Sequence, residues 1–78
     1  MKQITTLAID LAKTVFQLHG VDERGVAVLR RQVRRTQLLT LVVRLPACLI
    51  AMEACASAHY WGRQFSSLGH RVKLIPPQ

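Results

Sequence analysis

Two short, mostly apolar runs, each closed by a carboxylate, constrain this chain more than any other feature. Ile4-Thr5-Thr6-Leu7-Ala8-Ile9 runs into Asp10, and Cys48-Leu49-Ile50-Ala51-Met52 runs into Glu53. Runs this short, lacking a helical period, suit buried strands. An unpaired carboxylate is costly to bury, so an acid at the end of such a strand is solvated, paired or bound to a cation. The chain has only four acids in 78 residues, and the other two, Asp22 and Glu23, precede Arg24-Gly25 in a turn sequence. Neighbouring strands lie about 4.8 Å apart, and Mg²⁺ takes carboxylate oxygens at about 2.1 Å. If the two runs are neighbours in one sheet, Asp10 and Glu53 reach a single Mg²⁺ or Mn²⁺.

Eleven Lys and Arg against those four acids give a net charge of +7. Such an excess favours polyanions, with nucleic acid the first candidate and an anionic membrane surface the second. Half of the residues are hydrophobic, rich for a chain whose size allows only a marginal core. The expectation is a single domain, 1–78, that is part of a larger core and has apolar faces awaiting cover. No stretch approaches the roughly 18 uninterrupted apolar residues of a membrane span, and the first residues do not read as a signal peptide. Cys48 and Cys55 lack metal or redox spacing, which fits reduced thiols in a cytoplasm.

The chain reads as alternating elements. Residues 4–9 form a buried strand. Residues 15–21 alternate, with Phe16 and Leu18 opposite Gln17 and His19. Asp22 to Gly25 turns the chain, and 26–33 returns as the second arm of a hairpin. Thr36 is expected to cap a helix over 37–45 with Leu38, Leu41, Val42 and Leu45 on one face, stopped by Pro46. A strand over 48–52 follows. Ser57 is expected to cap a second helix carrying Ala58, Trp61, Phe65 and Leu68 as its apolar stripe, with Gly69 as its stop. A last strand covers 71–75 and is broken by Pro76-Pro77. The order is β-β-β-α-β-α-β. A right-handed crossover makes the strand at 48–52 parallel to the first, so Asp10 and Glu53 fall at the same sheet end, where open α/β sheets bind ligands. This is the order of the ribonuclease H-like fold.

Three segments carry a resemblance beyond fold: Ile9-Asp10-Leu11-Ala12-Lys13-Thr14-Val15-Phe16-Gln17-Leu18-His19-Gly20, Met52-Glu53-Ala54-Cys55-Ala56-Ser57-Ala58-His59-Tyr60-Trp61, and the stretch from Leu68 to Gln78. Together they resemble the DEDD-type bacterial insertion-sequence transposases, the insertion-sequence-110 family related to Piv-type DNA invertases. The resemblance covers essentially the whole chain. It implies an N-terminal RuvC-like domain with a mixed sheet and four metal-holding acids, of which Asp10 is the first and Glu53 the second. The other two acids and a serine-bearing C-terminal domain have no counterpart in these residues. The implied chain is a truncated RuvC-like domain, incomplete at its C-terminus, that holds Mg²⁺ or Mn²⁺ weakly and is inactive alone. The implied activity of the parent is metal-dependent cutting and rejoining of DNA in transposition, with DNA as partner and a structured guide RNA in some members; self-association is expected separately, from exposed apolar faces and an open sheet edge.

Each candidate has a plainer reading beside this one. Asp10 could cap a loop, and Glu53 could accept backbone N–H bonds at the next helix start. Arg30, Arg31, Arg34 and Arg35 cluster where the hairpin meets the first helix, and no acid lies between Glu23 and Glu53 to balance them. They are candidates for nucleic-acid phosphate contacts as well as for a solvated face or a charged edge. Lys13 is a candidate phosphate contact or an ordinary turn lysine. Cys55 and His59 lack the two further ligands a zinc site needs. His19 and His70 are expected at the surface; Trp61 and Phe65 are expected in the core. Two other function classes stand beside the transposase reading. An actin-like kinase or ATPase would want a glycine after the first acid, where Leu11-Ala12-Lys13-Thr14 has none. A non-catalytic nucleic-acid-binding or assembly module would need only the charge and the uncovered apolar faces.

Overall fold

The computed structural model describes residues 3–76. Five strands form one mixed sheet: β1 (Thr6–Asp10), β2 (Val15–Val21), β3 (Ala27–Arg34), β4 (Leu49–Glu53) and β5 (Arg71–Ile75), in the order β3-β2-β1-β4-β5. β1, β2 and β3 form an antiparallel meander, while β4 lies parallel to β1 and β5 parallel to β4. Two helices, α1 (Leu38–Val42) and α2 (Ala58–Ser67), complete the α/β architecture in the expected element order. Among the described residues no helix is long and apolar enough to cross a membrane. Pro77 of the expected strand break lies outside the described residues.

The meander is closed by an acid used structurally. Asp22 Oδ1 accepts the N–H groups of Arg24 at 2.9 Å and Val26 at 3.1 Å. The Gly25 N–H reaches the Asp22 carbonyl at 2.9 Å with Gly25 at φ 80°, a left-handed position that suits glycine. Asp22 is buried by this turn.

Both helices lie on one face of the sheet, so the core is one-sided. Leu7 and Ile9 of β1, Phe16 and Leu18 of β2, and Ile50 and Met52 of β4 point to that side with Leu38, Val42, Trp61 and Phe65. Phe16 meets Trp61 edge-on at 5.6 Å, and Phe65 stacks with the indole at 5.8 Å. Such geometries add about 0.5–1.5 kcal/mol beyond burial. The opposite sheet face, which carries Ala8, Asp10, Gln17 and His19, is exposed.

Strand limits differ from expectation by a residue or two. β1 starts at Thr6 and takes in Asp10, β3 starts at Ala27, and β4 starts at Leu49 and takes in Glu53. The first helical segment differs more. Thr36 sits inside a 3₁₀ turn, Arg35–Gln37, whose cap position is Arg34. Gln37 turns back so that its Oε1 accepts the Arg34 N–H at 3.3 Å. The α-helical part is then only five residues, because Arg44 and Leu45 bond in i→i−3 fashion to Leu41 and Val42. Its stripe is as expected: Leu38 and Val42 are buried, Leu41 and Leu45 half-buried.

Ser57 does hold the cap position of α2, but its hydroxyl makes no capping bond and lies 3.6 Å from Cys55 Sγ. The end of α2 is a Schellman motif. Gly69, at φ 95°, donates to Ser66 at 3.0 Å and His70 donates to Phe65 at 3.2 Å. Leu68 sits at the cap with 38% of its surface exposed, so the buried stripe ends at Phe65.

Candidate functional site

Asp10 and Glu53 are the last residues of two adjacent parallel strands. The register pairs Ala8 with Ala51 and Ile9 with Met52, so the next position along the ladder brings the two acids level. Side chains alternate along a strand. Ile9 and Met52 are buried against the helices, whereas Asp10 and Glu53 project to the exposed face with Ala8 and Ala51. Asp10 is also paired with Gln17 of β2, and Glu53 with Ile75 of β5. The two carboxylates therefore share one face and one sheet end, on backbones about 4.8 Å apart. Beside Asp10 is a shallow hollow of about 240 Å³ lined by Ala8, Gln17, His19 and Arg30. Among the described residues no group of three or more His, Cys, Asp or Glu side chains comes together.

The arginine cluster does not stay together. Strand alternation sends Arg30, opposite His19, and Arg34, opposite Val15, to the exposed face with the acids. Arg31 pairs with Leu18 and faces the helix side, where it lines a groove of about 770 Å³ with Leu29, Val33, Leu41 and Arg44. Arg35 starts the 3₁₀ turn; its N–H donates to the Thr14 carbonyl at 2.8 Å and its guanidinium lies 5.8 Å from the Trp61 ring centroid. That cation–π contact, worth about 0.5–1 kcal/mol when exposed, gives Arg35 a structural post. Lys13 is exposed in the loop between β1 and β2, close in sequence to Asp10.

His70 corrects a sequence expectation: it is buried, with 6% of its surface exposed. Its Nδ1 accepts the Cys48 N–H at 3.2 Å, and its Nε2 lies 3.2 Å from the Val42 carbonyl. Both bonds form together only in the neutral ring with the proton on Nε2. His70 thus ties the end of α1 and the start of β4 to β5. Burial pushes the thiol of neighbouring Cys48 above its usual range. Cys55 is an exposed free thiol held below its usual range, first by the hydrogen bond from Ser57.

Comparison with known proteins agrees with the family resemblance. The chain is 53% identical over 96% of its length to the "Probable family 20 transposase" of Pseudomonas aeruginosa. It is 44% identical over its whole length to the transposase for insertion sequence element IS1328 of Yersinia enterocolitica. The same identity and coverage hold for the transposase for insertion sequence element IS1111A of Coxiella burnetii. The chain belongs to the insertion-sequence transposases. It spans 22%, 23% and 21% of the lengths of these three relatives. No protein-family model matches the chain, and no solved structure matches it.

Proposed function

We propose that the chain is the first part of a ribonuclease H-like (RuvC-like) transposase domain of the DEDD type, acting on DNA with divalent metal. The observation that carries this reading is the acid pair: Asp10 and Glu53 end adjacent parallel strands and face the same open side. Mg²⁺ is commonly bound through one or two carboxylates while it retains several waters. Two exposed carboxylates at neighbouring strand ends fit that requirement. With no third ligand of these types among the described residues, weak binding by this chain is expected, with tight binding requiring acids supplied elsewhere in a transposase. A divalent ion at such a site supplies charge stabilisation to phosphodiester oxygens during displacement.

Asp10 and Glu53 are the metal-holding residues in this reading. DNA is the substrate, a guide RNA is a further partner implied by the resemblance, and a second copy of the protein is one suggested by uncovered apolar faces. The basic, one-sided sheet is compatible with a purely binding module, but the level placement of two of the four acids favours a metal site. A phosphate loop for a kinase is disfavoured by the absence of glycine between Asp10 and Val15.

Calorimetry with Mn²⁺ tests the reading on this chain and on a longer transposase polypeptide that includes the segment following it. Tight binding by the longer protein that is lost in both Asp10→Asn and Glu53→Gln is the expected result. Equal binding by the longer protein and its Asp10→Asn variant would remove the acid pair from any metal site.

A further inference from the structure

The row that carries the acids continues onto the hairpin. Gln32 of β3 pairs with Gln17 of β2, and Gln17 pairs in turn with Asp10 of β1. Gln17 is therefore the side chain directly beside Asp10 on β2. Residues paired across an antiparallel ladder have Cβ atoms about 4.5–5.5 Å apart. Gln17 also lines the hollow of about 240 Å³ next to Asp10. Strand pairing fixes this neighbourhood whatever covers the face. His19, the next residue of β2 on the same side, pairs with Ala8 instead of an acid and so stands a full row away, about 6.8 Å along the strand.

The Gln17 amide is held by one of its atoms. Its Nε2 donates to Gln32 Oε1 at 3.1 Å, which draws the nitrogen toward β3 and turns Oε1 away from Gln32. Among the described residues no donor hydrogen-bonds Gln17 Oε1, although an amide oxygen has two lone pairs to offer. An Mg²⁺ or Mn²⁺ bound through one or two carboxylates keeps several waters, and the protons of those waters need acceptors. Residues that hold such groups from outside the coordination sphere change metal affinity by about 10–100-fold when they are lost.

We infer that Gln17 is a positioning residue for the metal site: its Oε1, set by the bond to Gln32, accepts a hydrogen bond from a water on a divalent ion held by Asp10. The inference rests on the proposed function for the ion itself, while the place of the amide beside Asp10 follows from the register and from one hydrogen bond. Gln17 supplies no charge and does not replace a metal ligand. The plainer role of the same pair is a cross-strand hydrogen bond that joins β2 to β3. That role uses the Nε2 donor, whereas the positioning role uses Oε1, so substitution separates them.

The test is NMR of the isotope-labelled 78-residue chain titrated with Mn²⁺, whose unpaired electrons broaden the signals of nearby residues and so register binding even when it is weak. The quantity compared is the Mn²⁺ concentration that half-broadens the backbone amide signals of Ile9 and Met52, with the folding of each variant checked by its urea midpoint. Gln17→Leu should raise that concentration about 10-fold or more. Gln17→Glu keeps oxygen at the position but has no N–H for Gln32, and should leave the concentration equal or lower. Gln64→Leu, on α2, should leave it unchanged. If Gln17→Leu matches Gln64→Leu while Asp10→Asn abolishes the broadening, the positioning role is overturned and the metal reading stands. If Gln17→Leu and Gln17→Glu raise the concentration equally, the pair has its cross-strand role alone. No broadening at the ends of β1 and β4, or broadening that survives in Asp10→Asn, would overturn the metal reading for this chain and the inference with it.

Discussion

His70→Ala is the substitution with the most sharply defined cost. The ring is buried and serves two backbone groups from different elements, the Cys48 N–H and the Val42 carbonyl. Truncation leaves the Cys48 N–H buried without its partner at about 1–3 kcal/mol, while the Val42 carbonyl keeps the Leu45 N–H and loses a second bond worth about 0.5–1.5 kcal/mol, so the expected loss is about 1.5–4.5 kcal/mol. For a chain of this length, total stability is on the order of 4–12 kcal/mol, and the variant sits near the folding threshold. In urea, with a slope of about 1 kcal/mol/M, the midpoint should fall by about 1.5 M or more. Two further variants divide the effect. His70→Asn offers an oxygen near the Nδ1 position and keeps an acceptor for Cys48. His70→Gln offers an amide N–H near Nε2 and keeps a donor for Val42. Both should fall between the unaltered chain and His70→Ala. Exposed His19 is the control, since a surface substitution away from special features stays within about 0.5 kcal/mol. If His70→Ala is no more damaging than His19→Ala, the two buried hydrogen bonds do not hold these elements together.

Three other outcomes follow from the same structure. Phe65 is fully buried against Trp61, so Phe65→Ala should cost about 3–5 kcal/mol, read as a lower thermal midpoint with loss of near-ultraviolet circular dichroism. Gly69→Ala meets no neighbouring atom but forces a Cβ onto φ 95°, and should lower stability by about 1–2 kcal/mol in the same melt. Iodoacetamide should label Cys55 and spare Cys48 in the folded chain, because burial raises Cys48 while the Ser57 hydrogen bond lowers Cys55. A lowered thiol pKa puts thiolate at lower pH, so Ser57→Ala should move the Cys55 labelling profile toward higher pH.

Much of the architecture was legible because apolar runs and alternation report burial directly. The strands around Leu7, Leu18 and Ile50 and the parallel pairing of β1 with β4 required only those patterns and the handedness of the crossover. The start of α1 was misread because a threonine before an apolar stripe suggests a cap, whereas the backbone enters through a 3₁₀ turn held by Gln37 and by Arg35 on Thr14. His70 was missed because its partners are 22 and 28 residues away in sequence and a single polar residue has no period. A signal was nevertheless present. Gly69 as a helix stop makes the next residue the one that folds back onto the helix's last turn. The division of the arginines was also readable, since positions 30 and 34 share a strand face that position 31 does not. What no sequence pattern supplied was which of those faces the helices would leave bare.

The central position of β1 has a consequence in time. Its pairing with β2 joins residues close in sequence, but its pairing with β4 joins residues more than forty positions apart. Contacts between distant residues carry the larger closure cost and tend to form late. The hairpin side of the sheet can therefore be in place while Asp10 still stands alone, and Glu53 arrives only when β4 docks. A slip of one residue in that docking would turn Glu53 toward the helices. The acid pair is thus assembled by the slowest strand, and its appearance is a marker that the sheet has closed in the correct register.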